Sequence, residues 1–384
     1  NVALFGQVKA SGIADAASLP ARFLDIGSDA LARTDKAIDD KIDYSDTSNR
    51  NNILETRVGN DGENLYVAVK TKDDVKGPAA GDTIEIEGIQ PWSHAAPVLY
   101  HAVLTLRDAD GVLQEVVPYD IGFRRFEMIN GVMCLNGERV VFNGVNRHEW
   151  NADRGRAIGA DDMHAAMAVF KKNNINAVRT CHYPDQSLWY DLCDRNGIYM
   201  IDETNLESHG SWQKLGAVEP SWNVPGSLPE WKDCVVDRAR SMFERDKNHA
   251  AVLIWSCGNE SYAGEDILAM SQFFHDHDPG RLVHYEGVFH CRAFDAVSDM
   301  ESRMYAKPWE IREYLESHPK KPFILCEYMH DMGNSLGGME SYVKLADEFD
   351  QYQGGFIWDY MDQALRHTDA LGRSVLGYGG DFAD

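Results

Sequence analysis

The chain has no run of about 18–20 apolar residues, so no segment is long and apolar enough for a membrane-spanning helix. It has no Cys-x-x-Cys. Its seven cysteines (Cys134, Cys181, Cys193, Cys234, Cys257, Cys291 and Cys326) are widely scattered, odd in number and absent from the first third. That usage reads as thiols in a reducing compartment, the cytoplasm, and not as a disulfide frame. Basic residues are in deficit: 37 Lys and Arg against 61 Asp and Glu leave a formal charge of −24. A polyanion has no general attraction for phosphate backbones or anionic membrane surfaces, which argues against both as partners and favours neutral or cationic substrates. There is no fixed-period repeat, no low-complexity tract, and no Gly-x-Gly-x-x-Gly opening a helix. The start, Asn1-Val2-Ala3-Leu4, has neither Met nor a signal-peptide pattern. It reads as a cut from a longer chain, which leaves an export signal upstream open.

What is present is an ordinary globular mixture, 44% apolar and 26% charged over 384 residues, with length for two or three domains. Asp35–Asn52 is polar and acidic and reads as a long loop. From Ile53 to about Arg125 the pattern is β. Leu65–Val69 follows the turn signal Asn60-Asp61-Gly62, Thr83–Glu87 alternates with period two, and Leu99–Leu106 and Val112–Val117 flank the hairpin signal Asp108–Gly111. Short strands at this spacing predict a β-sandwich over residues 1–125, with the first 50 or so hard to place.

After about Asn130, apolar β runs alternate with helical patterns. The runs are Val140–Val145, Ala177–Thr180, Tyr199–Asn205, Val252–Ser256, Leu282–Tyr285, Met300–Tyr305, Phe323–Cys326 and Phe356–Trp358. Eight runs over residues 126–384 suit a (β/α)8 barrel, with a doubly wound sheet as the competing architecture. No convincing eighth helix follows Trp358.

Polar and acidic residues sit immediately after these runs: Arg147, His148 and Glu149; Arg179 and His182; Glu203, Asn205, Glu207 and His209; Asn259 and Glu260; Tyr305; Glu327 and His330; Trp358 and Asp359. In a barrel such positions meet at the C-terminal mouth, where active sites are built. Glu260 and Glu327 each end an apolar run, a costly place for a carboxylate unless water, a partner or a substrate receives it. They are either two unrelated strand-end acids or a pair that splits a glycosidic bond, one protonating the leaving oxygen and the other attacking the anomeric carbon. Glu207-Ser208-His209 is either a solvated loop or a ligand set for a hard cation such as Mg²⁺. Trp150, Tyr183, Trp212, Trp255, Tyr305, Tyr328 and Trp358 are either barrel core or platforms for apolar sugar faces.

Taken together, the segments GVNRHEW (144–150), NNINAVRTCHYP (173–184), YDLCDRNGIYMIDETNLESHG (190–210), RDKNHAAVLIWSCGNES (245–261), RMYA (303–306), ILCEYMHDMGNSLGG (324–338), GGFIWDYMDQAL (354–365) and YGGDFAD (378–384) resemble glycoside hydrolase family 2, specifically its large β-galactosidases. The resemblance implies an immunoglobulin-like β-sandwich followed by a catalytic (β/α)8 barrel. It implies retaining hydrolysis of terminal β-galactosides such as lactose, with transfer to other sugars. By the same resemblance Glu327 is the nucleophile and Glu260 the acid/base. Glu207, His209 and Glu260 bind Mg²⁺, and Asn259 meets the sugar 2-hydroxyl. His148 and His182 contact hydroxyls in the transition state, and Arg179 keeps the nucleophile ionised. Tyr305 lies beside the nucleophile, Met304 lines the leaving-group side, and His330 and Trp358 form the pocket for the 6-hydroxymethyl end. A homo-oligomer is implied for the full-length protein.

The family's Na⁺ site finds little counterpart here, since a preceding sugar-binding domain and later segments that complete it have no match. Two other readings stand beside the first: a sugar-binding module without turnover, and a β-glucuronidase-like member of the same family. The NLESHG and EYMHDMGNSLGG segments speak against the glucuronidase. A metal-dependent barrel hydrolase needs a His-x-His near the first barrel strand, and His148 stands alone there.

Overall fold

The computed structural model describes residues 53–60, 64–71, 88–107, 112–212, 223–332 and 336–381. The chain divides into two compact units. Of the described residues, those up to Trp92, with those of Val98–Phe123, form one; Ser93–Pro97 and those from Arg124 onward form the other.

The described part of the first unit is a four-stranded sheet, a layer of the β-sandwich domain. β1 (Ile53–Asn60) and β2 (Asn64–Thr71) pair antiparallel, with Asn60 opposite Leu65. β3 (Tyr100–Arg107) lies parallel to β2, and β4 (Leu113–Ile121) pairs antiparallel with β3. The predicted strand Thr83–Glu87 and the polar stretch Asp35–Asn52 lie outside the described residues.

The second unit opens with a three-stranded meander, β5 (Phe126–Ile129), β6 (Val132–Leu135) and β7 (Glu138–Arg139). The sequence reading missed it, although both turns are Asn-Gly pairs, the strongest short-range hairpin signal. Asn130, Gly131, Asn136 and Gly137 all have positive φ.

Eight parallel strands then build the barrel: β8 (Phe142–Arg147), β9 (Ala177–Thr180), β10 (Tyr199–Glu203), β11 (Val252–Ser256), β12 (Leu282–His284), β13 (Glu301–Met304), β14 (Phe323–Tyr328) and β15 (Tyr352–Ile357). Their order is 12-11-10-9-8-15-14-13, so the last strand pairs with the first and the only seam lies between β12 and β13. Strands buried on both faces carry continuous apolar runs instead of alternation; Val252, Leu253, Ile254, Trp255 and Ser256 are all fully buried. The outer helices are amphipathic. Pro229–Asp246 has Pro in its first turn and buries Val235, Ala239, Met242 and Phe243 on one face.

Between β12 and β13 the chain runs through two 3₁₀ turns, Glu286–Phe289 and Arg292–Val297, instead of an α-helix. Among the described residues after β15 there is a hairpin, Leu365–Thr368 with Ser374–Gly377, and no α-helix. All seven cysteines are free thiols, and no described helix is long and apolar enough to cross a membrane.

The seam is closed by side chains as well as backbone. Asp299 N–H donates to Val283 O at 2.8 Å, and Asp299 Oδ2 accepts Val283 N–H at 2.7 Å. His284, fully buried, bonds Ser256 Oγ at 3.0 Å through Nδ1 and Ser302 Oγ at 2.8 Å through Nε2, so it ties β11, β12 and β13 together. Burial and then the positive Arg179 hold its imidazole down to a pKa of about 3. An imidazole depressed in the folded state contributes stability above its unfolded value and loses it as pH falls. Acidification from pH 7 to 4 is therefore expected to cost roughly 3 kcal/mol through this residue. His284→Asn should flatten the fall of Tm over that range in a pH series of thermal melts; a parallel fall in both proteins contradicts the assignment.

Candidate active site

The strand ends converge on Arg179, at the penultimate position of β9 and fully buried. All five of its N–H donors are used. Nε donates to Glu203 Oε2 at 2.7 Å, and Nη2 to Glu203 Oε1 at 3.1 Å and Asn259 Oδ1 at 2.6 Å. Nη1 donates to Asn146 Oδ1 and Glu327 Oε1, both at 2.9 Å. Burial alone disfavours its charge. Glu203 and Glu327 outweigh burial and push the guanidinium pKa well above its ordinary value. Glu203, at the end of β10 and fully buried, also accepts from Ser256 Oγ at 2.8 Å and bonds His182 Nδ1 at 2.8 Å. Burial works against its ionisation, but Arg179 holds its pKa below the usual value.

Glu327 is 5% exposed. Its Oε1 accepts from Arg179 and its Oε2 from Tyr305 Oη at 2.9 Å, while His182 Nε2 lies 3.9 Å from Oε1. Both oxygens are thus engaged by donors, the arrangement of a carboxylate. Burial first and Glu327 second raise the Tyr305 phenol, which stays a donor.

Asn259 carries the network outward. Its amide oxygen accepts from Arg179 and its Nδ2 donates to Glu207 Oε2. Glu207, His209 and Glu260 form a cluster whose ligating atoms all lie within 4.8 Å of one another. His209 Nδ1 is 3.0 Å from Glu260 Oε2. Two carboxylates and an imidazole, Glu207 exposed and the other two half-buried, fit a hard dication that keeps some of its waters. The Glu260 carboxyl is raised above the usual range, by burial first and also by Glu327 and Glu207, against the lowering effect of His209. One carboxyl gripped by donors and one raised toward its protonated form is the division of labour expected of a nucleophile and an acid.

On the other side of the mouth three rings form a wall. His182 stacks on Trp358 at 5.3 Å and 8°, and His148 meets both edge-on at 5.7 and 5.5 Å. Tyr183 Oη accepts Glu149 N–H at 3.1 Å and is hydrogen-bonded to His148 Nδ1 at 3.0 Å. Burial keeps His148 neutral, with a pKa near 3. His330 lies at the rim, its ring 6.2 Å from that of Tyr305. Met304 and Tyr305 line a cleft of about 280 Å³ with His209, Trp212, Glu260 and Tyr262.

All twelve residues given a role by the family resemblance therefore lie at one end of the barrel. Three functional neighbours were missed. Glu203 was noted at a strand end but given no role, although a carboxylate inside a fully buried run signals an internal cation. Asn146 accepts from Arg179 and donates to Cys326 O at 2.9 Å and Phe356 O at 3.1 Å; nothing in its local sequence marks it. Glu286, buried and raised to about 8 by burial, accepts the Glu260 N–H at 2.7 Å.

The chain matches the family model described as "Glycosyl hydrolases family 2, TIM barrel domain" over residues 126–384 and the model "Glycosyl hydrolases family 2" over residues 28–124. It is 59% identical over 327 residues to a beta-galactosidase of Halalkalibacterium halodurans, covering 84% of this chain and 32% of that protein. It is 61% identical over 301 residues to a beta-galactosidase of Clostridium acetobutylicum, covering 78% of this chain and 33% of that protein. A beta-galactosidase large subunit of Lactobacillus acidophilus is 58% identical over 302 residues, 78% of this chain and 48% of that protein. The chain thus spans between a third and a half of the length of these relatives. Among solved structures, a β-glucuronidase from Ruminococcus gnavus superposes with a TM-score of 0.62 at 20% identity, over 73% of this chain and 53% of that one. At that identity it shows the shared fold.

Removing Arg179 while leaving Glu203 strands a buried charge, which typically costs about 3–5 kcal/mol. Arg179→Met should lower the urea midpoint accordingly, and Glu203→Gln in the same background should recover part of the loss. Additive losses contradict the pairing.

Proposed function

The chain belongs to glycosyl hydrolase family 2, and on that premise we propose that it is the catalytic core of a retaining β-galactosidase. The observation that carries the reading is the pair of carboxyls brought into one barrel mouth in unlike surroundings: Glu327 held by Arg179 and Tyr305, and Glu260 beside His209 on the cleft. The relatives named beta-galactosidase, at 58–61% identity, support galactose as the sugar.

In the first step a Glu327 oxygen attacks the anomeric carbon. The bond from that carbon to the leaving oxygen breaks, and the Glu260 proton passes to that oxygen. In the second step a water gives its proton to Glu260, its oxygen attacks the same carbon, and the bond to Glu327 breaks, restoring the carboxylate. A second sugar hydroxyl in place of water gives transfer. Asn259, fixed by Arg179, would meet the 2-hydroxyl. Trp358 offers a flat apolar ring, and the neutral His148 offers a ring nitrogen to a sugar hydroxyl.

Glu207, His209 and Glu260 would hold Mg²⁺, and the ion would supply positive charge beside the acid/base. The relatives named as large subunits support a working protein of more than one chain.

Nitrophenyl galactoside, glucuronide and mannoside, offered in parallel, should give turnover of the galactoside alone, and Glu327→Gln should abolish it. Preference for the glucuronide, or normal turnover by the Gln variant, contradicts the proposal. Chelator should lower kcat/KM and added Mg²⁺ restore it, with Glu207→Gln weakening the restoration. Indifference to chelator and metal overturns the metal reading.

A further inference from the structure

Glu260 has a φ of 40°, in the left-handed region that a non-glycine residue adopts only when its surroundings impose it. Both of its peptide groups are held by side chains. Its N–H donates to Glu286 Oε1 at 2.7 Å, and its carbonyl accepts Trp212 Nε1–H at 2.6 Å. The next residue is gripped from the same side. Tyr285 Oη accepts Ser261 N–H at 3.0 Å and donates its own proton to Ser261 O. Tyr285 and Glu286 follow β12 directly, and both are buried. The turn that carries them closes tightly on Ser261. A Cβ at Gly287 would lie 2.5 Å from Tyr285 Cε1 and 2.8 Å from Ser261 O, so only glycine fits there. The mechanism above uses none of these contacts.

We propose that Glu286, seconded by Tyr285 and Trp212, is a positioning residue that clamps the main chain at Glu260 and so aims the Glu260 carboxyl at the leaving oxygen. The inference rests on the proposed role of Glu260 as acid. Proton transfer needs hydrogen-bond reach to one atom of the substrate, and the left-handed backbone relaxes once its N–H loses the acceptor. The clamp therefore matters only for leaving groups that need a proton.

The test compares kcat/KM of the intact protein for two substrates. The leaving group of 2,4-dinitrophenyl galactoside departs as a stable phenolate without a proton; that of lactose needs one. Glu286→Leu, which removes the acceptor, should lower lactose turnover by roughly 10–100-fold, the scale of a misplacement of about 1 Å, and leave the dinitrophenyl substrate nearly unchanged. Glu286→Gln keeps a carbonyl acceptor and should follow the wild type on both. Should Glu286→Leu fail to fold, Tyr285→Phe removes the hydroxyl that grips Ser261 and should show the same selective loss. Equal losses on both substrates, a Gln variant as impaired as Leu, or no change on lactose overturns the proposal. Glu260→Ala serves as the control: absence of the substrate-selective loss there overturns the acid/base assignment itself.

Discussion

The structure of the site depends on one buried guanidinium. Arg179 has five N–H donors and no acceptor, sits where water does not reach, and is tolerable there only because every donor is met and negative charge surrounds it. Its planar fork holds Glu203 from β10 through two bonds and reaches Glu327 on β14, Asn146 on β8 and Asn259 beyond β11. Lysine has one charged atom and three donors and cannot make that set of contacts. The same guanidinium thus fixes both the Glu327 carboxylate and the Asn259 amide.

The barrel makes this economical. Each parallel strand delivers its last residue to the same rim, so residues as far apart as Asn146 and Trp358 become neighbours without long loops. Environment then separates the two carboxyls. Glu327 is bound by a cation and a phenol, whereas Glu260, a step beyond its strand, is partly buried among other acids with His209 as its nearest counterweight. Asn259 joins the two regions by accepting from Arg179 and donating to Glu207, so the Glu207, His209 and Glu260 cluster is linked to the guanidinium through one amide.

Much of this was legible in the sequence because it follows from strand ends. The runs Ala177–Thr180 and Val252–Ser256 were placed to the residue, since buried parallel strands are apolar throughout and stop where polar residues begin. The twelve candidate residues were chosen by that rule together with motif resemblance. The rest depends on partners far away in the chain. Nothing near Asn146 says that its amide will link three strands, and nothing near Glu286 says that it will accept a bond from residue 260. The meander at Phe126–Arg139 was missed for a different reason: its strands of two to four residues are too short for periodicity, and only the Asn-Gly pairs mark them.

The account stands on Glu327 as the group that bonds to the sugar. A 2-deoxy-2-fluoro galactoside with an activated leaving group slows release of the covalent intermediate, and digestion followed by mass spectrometry locates the attached sugar. The account predicts the label on Glu327, within the β14 peptide, and its loss when Arg179 is replaced. A label on any other carboxylate, or full turnover of the galactoside with no covalent sugar formed, would contradict it.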